Sequence, residues 1–263
     1  MALIALTSAN GSPGVTTTAV GLAMSWPRPV VLVDADPTGG RAILSGYFRG
    51  QLDVRTTIVE LAIAHRRGDL IGSLPTALMQ VRDSQAQVLF GPLRHNQARA
   101  LGPLWKPLAN TLKDLEANGQ DVIVDAGRLG LEGMPFELLT EADLTLVVTR
   151  THLPGLVGVT SWSSDLREAF TRAGDVNRLQ GLLVGPGMPY EPREARRVME
   201  MPVLSEIAWD PESAAVYSLG QKRSKGFESS KLQRSVRATI SSIQTTISRA
   251  RADLERTPEG SVR

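Results

Sequence analysis

The chain has 263 residues, 42% hydrophobic and 21% charged, with a formal net charge of +2. That composition is expected of a globular protein with a substantial core, and no apolar run is long enough to span a bilayer. There is no cysteine and there are three histidines, which excludes disulfides, thiolate catalysis and cysteine-ligated metal and leaves zinc chemistry little to stand on.

Residues 3–6, Leu-Ile-Ala-Leu, read as a buried parallel strand, and the start Met1-Ala2-Leu3-Ile4 carries no basic leader, so a cytoplasmic protein is expected. A Gly-rich turn follows, Gly11-Ser12-Pro13-Gly14, then Thr16, Thr17 and Thr18, and then a helical stripe through Ala19, Val20, Leu22, Ala23 and Met24. Strand, glycine loop and helix start together gather free backbone amides and a positive helix end at one spot, a cradle for phosphate. The competing reading of the same residues is a plain tight turn.

A second strand, Val30 to Val33, ends in Asp34-Ala35-Asp36-Pro37. Carboxylates at the C-terminal end of a parallel strand are well placed for chemistry, although such a pair can also simply open a turn. Residues 57–67 carry helical periodicity, and residues 87–90 read as a third strand stopped by Gly91-Pro92. His65 and His95 show no metal-ligand spacing and read as surface residues. Leu108, Leu112 and Leu115 suit the buried face of a crossover helix, with Gly119 as its stop.

Residues 121–124 form another strand, ending in Asp125-Ala126-Gly127-Arg128. Further strands are expected at 144–149, 179–184 and 202–207, with helices at about 154–173 and 212–219. Residues 221–228 read as a basic linker and 257–263 as a disordered tail. Between them, residues 229–256 form an amphipathic helix with Leu232, Val236, Ile240, Ile243, Ile247 and Leu254 on one face. That helix packs back on the domain in the favoured reading, pairs with a partner helix in the second, and lies on a membrane in the least favoured, because its stripe has no Trp or Phe.

In order and spacing these segments resemble the ParA/MinD family of deviant-Walker P-loop ATPases, from the first strand to about Leu219. Against the family's loop, K-G-G-x-G-K-S/T-T, the chain reads Asn10-Gly11-Ser12-Pro13-Gly14-Val15-Thr16-Thr17. Both lysines are replaced, by Asn10 and Val15, and the Asn that reads adenine in the family is replaced within Gly185-Pro186-Gly187. The Asp34-Ala35-Asp36 and Asp125 segments match the family's acidic signatures, and residues 202–211 match its late strand and turn.

The resemblance implies an α/β fold of P-loop NTPase type, a doubly wound, mostly parallel sheet over residues 1–220, here with a C-terminal helical extension. It implies ATP and Mg²⁺ as ligands, with binding weakened by the two lost lysines. Gly11, Ser12, Gly14, Val15, Thr16 and Thr17 would surround the phosphates, and Thr16 and Asp125 would hold Mg²⁺. Asp34 and Asp36 would sit beside the γ-phosphate, with Asp36 positioning the attacking water as the catalytic residue. Arg128 either offsets the missing lysine or pairs with Asp36 or Asp125, and the ion pair is the favoured reading.

Three functions compete. The first is a degenerate positioning or scaffold factor for partitioning, secretion or pilus assembly, similar to the TadZ/CpaE-like branch, working as a homodimer with a protein partner. The second is an active ATPase in which Arg41 or Arg128 completes the site. The third is a DNA-binding partitioning protein, with Lys222, Arg223, Lys225, Lys231, Arg234 and Arg237 as its footprint.

Overall fold

The structure, a computed structural model, describes residues 2–11 and 13–256, without the side chains of Leu254 and Glu255. Ser12 and the expected disordered tail at 257–263 lie outside the described residues.

The apolar runs become strands because burial on both faces asks for hydrophobic residues at every position, not at alternate ones. They are β1 (Leu3–Ser8), β2 (Val30–Asp34), β3 (Met79–Gln80), β4 (Ala86–Leu89), β5 (Asp121–Arg128), β6 (Leu144–Arg150), β7 (Leu179–Val184) and β8 (Val203–Ile207). They form one sheet in the order β3-β4-β2-β5-β1-β6-β7-β8. Every pairing is parallel except β3 with β4. The expected doubly wound, mostly parallel sheet is therefore what forms. Chain direction across the sheet reverses beside β1, which opens a crevice at the C-terminal ends of β1, β2 and β5.

Ten α-helices among the described residues cover the sheet: α1 (Val15–Met24), α2 (Ile58–Arg66), α3 (Leu70–Ala77), α4 (His95–Ala98), α5 (Trp105–Asp114), α6 (Phe136–Glu141), α7 (Leu153–Arg172), α8 (Pro192–Met199), α9 (Pro211–Ser218) and α10 (Lys231–Arg256). Alternate strand residues feed two separate cores. Leu3, Ala5, Val31, Val33, Val122 and Val124 meet α2, α5, α6 and α7 on one face. Ile4, Leu6, Val30, Leu32 and Ile123 meet α1, α9 and α10 on the other. Asp121 fastens the entry to β5, accepting from the Ala2 amide at 2.6 Å and the Trp26 indole at 2.7 Å, and pairing with Arg28 at 2.7 Å.

Five short elements were not apparent in the sequence: α3, α6, α8, the two-residue β3 and a π-helical turn at Ala42–Tyr47. Their hydrophobic patterns are too brief to show a period. The C-terminal helix lies on the sheet. Leu232, Val236, Ile240, Ile243 and Ile247 are all buried in the second core, a gross hydrophobic gain of roughly 10 kcal/mol before ordering entropy is subtracted. Polar residues outside the apolar stripe also turn inward. The Gln233 amide donates to the Tyr217 hydroxyl at 2.7 Å, Thr239 meets Ser205 at 2.9 Å, and Ser235 accepts from the Ala208 amide at 3.0 Å. Residues 221–228 contain a buried anchor, Phe227, whose ring lies 5.6 Å from that of Tyr217.

Candidate functional site

At the end of β1 the Ser8 hydroxyl donates to the Asn10 carbonyl at 2.8 Å and fastens the loop. Gly14 then opens α1 at φ 106°, where a non-glycine residue is strained. A Cβ there would meet nothing within 4 Å, so glycine is required for its dihedral and not for space. The first helical hydrogen bond runs from the Thr18 amide to the Gly14 carbonyl at 2.9 Å, and no side chain caps the helix start. The leading amides are therefore left for a ligand or water.

Three carboxylates gather beside this helix start. Asp34, at the end of β2, and Asp125, three residues before the end of β5, are register partners. Burial pushes Asp125 up to about 6, while the Thr16 hydroxyl beside it pulls the other way. Its Oδ1 accepts from the Gly127 amide at 3.1 Å. Its Oδ2 is buried with no hydrogen-bond partner. Asp34 is driven up to about 8 by burial, then by the charges of Asp125 and Asp36. Asp36 is half-buried and accepts from the Thr38 amide at 2.9 Å. A cavity of about 500 Å³ opens over this group, walled by Gly11, Gly14, Thr16, Thr17, Asp36 and Arg128 among others. Asp34 and Asp125 lie outside its wall. An orphaned carboxylate oxygen beside a threonine hydroxyl is a donor set suited to Mg²⁺, which takes hard oxygen ligands and keeps several waters.

No family model matches the chain, and no curated protein matches it significantly. Solved structures do match it. MinD complexed with Mg-ADP from Pyrococcus horikoshii is 22% identical, with a TM-score of 0.69 over 91% of this chain and 94% of its own. The cell division ATPase MinD of Pyrococcus furiosus is 22% identical, with a TM-score of 0.71 over 93% and 99%. A ParA family ATPase from Chlorobium tepidum is 15% identical, with a TM-score of 0.68 over 90% and 96%. The fold is that of MinD and the ParA family ATPases.

Within this fold, Val15 and Asn10, the two positions compared above with loop lysines, are both held by packing. Val15 is 6% exposed and joins the apolar cluster of Ala19, Val20 and Leu22. Asn10 is turned back onto its own chain. Its Nδ2 donates to the Pro154 carbonyl at 3.0 Å, and its side chain lies so close to Gly158 of α7 that no Cβ fits there. Arg128 corrects the favoured expectation: among the described residues it forms no ion pair, with Asp36, Asp125 or any other acid. It is exposed at the cavity wall, and its Nη1 stands 3.7 Å from where a Gly11 side chain would begin.

A second cavity, about 270 Å³, shares Pro13, Gly14 and Thr17 with the first. Ile207, Trp209, Pro211 and Tyr217 line it, giving it an apolar, aromatic wall. The Arg150 guanidinium stacks on Trp209 with its Cζ 3.7 Å from the ring centroid, and the Arg150 Nε is buried without a partner. Sequence reasoning placed Trp209 in a turn and did not foresee this pocket. Only the exposed Trp beside Asp210-Pro211 hinted at it.

The basic C-terminal residues are partly neutralised. Arg223 pairs with Glu228 at 3.2 Å, Arg237 pairs with the same carboxylate at 2.5 Å, and Arg234 donates to the Ser229 carbonyl. Among the described residues no helix is long and apolar enough to cross a membrane, and no cluster of His, Asp or Glu of metal-binding type is present.

Proposed function

We propose that this chain binds Mg-ATP at the loop between β1 and α1 and serves as a ParA/MinD-type positioning or scaffold factor with weak or absent hydrolysis. The observation that carries the reading is the unpartnered Asp125 Oδ2 beside Thr16, under a glycine loop whose helix start is uncapped. Phosphates would rest on the amides of Gly11, Ser12, Gly14, Val15, Thr16 and Thr17, with Val15 contributing only its backbone. Thr16 and Asp125 would hold Mg²⁺, Asp125 through water. Asp36, at the cavity wall, is the group able to orient an attacking water, and Asp34 supports it from below. The aromatic pocket beside Thr17 is of a kind that takes a nucleobase.

Weak hydrolysis follows from a loop without lysine. Phosphoryl transfer relies on positioning and on neutralising charge, and neither Val15 nor Asn10 supplies charge. Asn10 is tied to Pro154 of its own chain, so nothing at that position reaches toward a second subunit. A homodimer and a protein partner in a partitioning, secretion or pilus-assembly machine belong to this proposal. MinD and ParA family proteins among the structural neighbours support the general role. The pairing of Arg223 and Arg237 with Glu228 weighs against DNA as the main partner.

The test is a titration of ATP and ADP with Mg²⁺, following solution mass and phosphate release together. Binding at micromolar to millimolar nucleotide with slow or no release is the expected result. No binding at millimolar nucleotide overturns the proposal, and rapid release overturns its hydrolysis part.

A further inference from the structure

We infer that Arg128 has taken over the phosphate-neutralising role of the lost loop lysine, reaching the phosphates from the β5 side of the cavity. The inference rests on the nucleotide reading above and assigns the missing charge within it.

The first support is geometric. β1 and β5 pair in register from Leu3 with Val122 to Leu6 with Asp125, and then Ser8 pairs with Arg128. Two residues of β1 therefore face three of β5, a bulge at Ala126–Gly127. Gly127 takes φ 65°, and a Cβ on it would lie 2.6 Å from the Asp36 carboxylate. The extra residue in β5 carries the chain past the acids. Asp125 stays buried behind Thr16, while Arg128 emerges at the wall of the cavity beside Gly11.

The second support is chemical. An arginine beside three carboxylates ordinarily pairs with one of them. This one makes no hydrogen bond or ion pair among the described residues, although Asp36 walls the same cavity. Its guanidinium is a free, fully charged fork of donors at the glycine loop, suited to bidentate phosphate contact. The third support is independent of Arg128. Behind Thr16, which lines the cavity, the buried Asp125 Oδ2 has no hydrogen-bond partner and marks a place for a cation.

The other arginines near the loop are weaker candidates, and none of them lines this cavity. Arg41 donates through Nε to the Leu93 carbonyl, and Arg99 is held by Glu132 at 2.5 and 2.9 Å. Arg150 is stacked on Trp209 beyond the aromatic pocket.

The experiment compares Mg-ATP and Mg-ADP binding by the full chain and by its Arg128→Ala and Arg128→Lys variants, with apo melting curves for each. Because Arg128 is exposed and unpaired, Arg128→Ala should leave the apo Tm unchanged while weakening ATP by about tenfold to a hundredfold. Arg128→Lys should recover part of the loss, since it keeps the charge and loses the fork. Equal ATP affinity in wild type and Arg128→Ala overturns this inference and leaves the nucleotide reading standing. A fall in affinity that tracks a fall in apo Tm overturns it too, because the role is then structural. No binding by the wild type at millimolar nucleotide overturns both.

Discussion

The acid side and the cation side of the cavity are built by opposite means. Asp34 and Asp125 are paired across adjacent buried strands, with burial working against their ionisation. Such an arrangement is costly for a protein that puts no cation there. At Val15 and Asn10, by contrast, no charge is present, although the Asn10 Oδ1 is itself buried without a hydrogen-bond partner. One residue has joined the core, and the other is tied to α7. A buried acid cluster therefore faces a loop start without charge.

The contrast breaks first at Asp125. Asp125→Asn should remove the dependence of ATP binding on Mg²⁺, with a loss of at least about tenfold in the metal's presence. Titrations in Mg²⁺ and in chelator check this, and an unchanged Mg²⁺ effect would show that Asp125 is no ligand.

Asp34 tests the cost of burial directly. Its folded pKa is raised to about 8, against about 3.9 for an ordinary Asp. Between those values the folded group holds a proton that the unfolded chain releases, so stability falls as pH rises through the window. Asp34→Asn should raise Tm at pH 7.5 in chelator. The gain should disappear near pH 4. Melting curves that stay parallel across pH would contradict it.

On the cation side, Val15→Lys should tighten ATP by about tenfold through a charge-assisted contact. It should cost about 1–2 kcal/mol of stability, because Val15 leaves the core. No gain alone or combined with Asn10→Lys would mean that the loop does not hold phosphate. The smallest effect belongs to Asn10→Ala, which removes one exposed hydrogen bond to Pro154. It should change stability by less than about 1 kcal/mol and leave the solution mass unaltered with or without ATP. A changed mass would place Asn10 at a subunit contact.

The apolar runs and the acids at their ends were legible because two-sided burial writes itself as unbroken hydrophobic stretches, and strand ends show as abrupt polarity. Val30 to Asp34 and Asp121 to Asp125 became the central strands expected of them. The direction in which a side chain points was not legible. Arg128 was expected to pair with an acid, but the bulge before it carries it past them. The inward faces of Gln233, Ser235 and Thr239 on α10 were hidden because their partners lie in β8, α9 and the segment between them.

The amino-acid sequence by itself determined the order of strands and helices, the glycine loop and the acids at the strand ends, since each is set by local pattern and backbone chemistry. Tertiary structure alone decided which residues face the cavity. The Asn10 hydrogen bond spans 144 positions to Pro154, and the β1–β5 bulge pairs Ser8 with Arg128, another contact distant in the chain. Contacts at that range depend on how layers pack, and packing is a property of the whole fold.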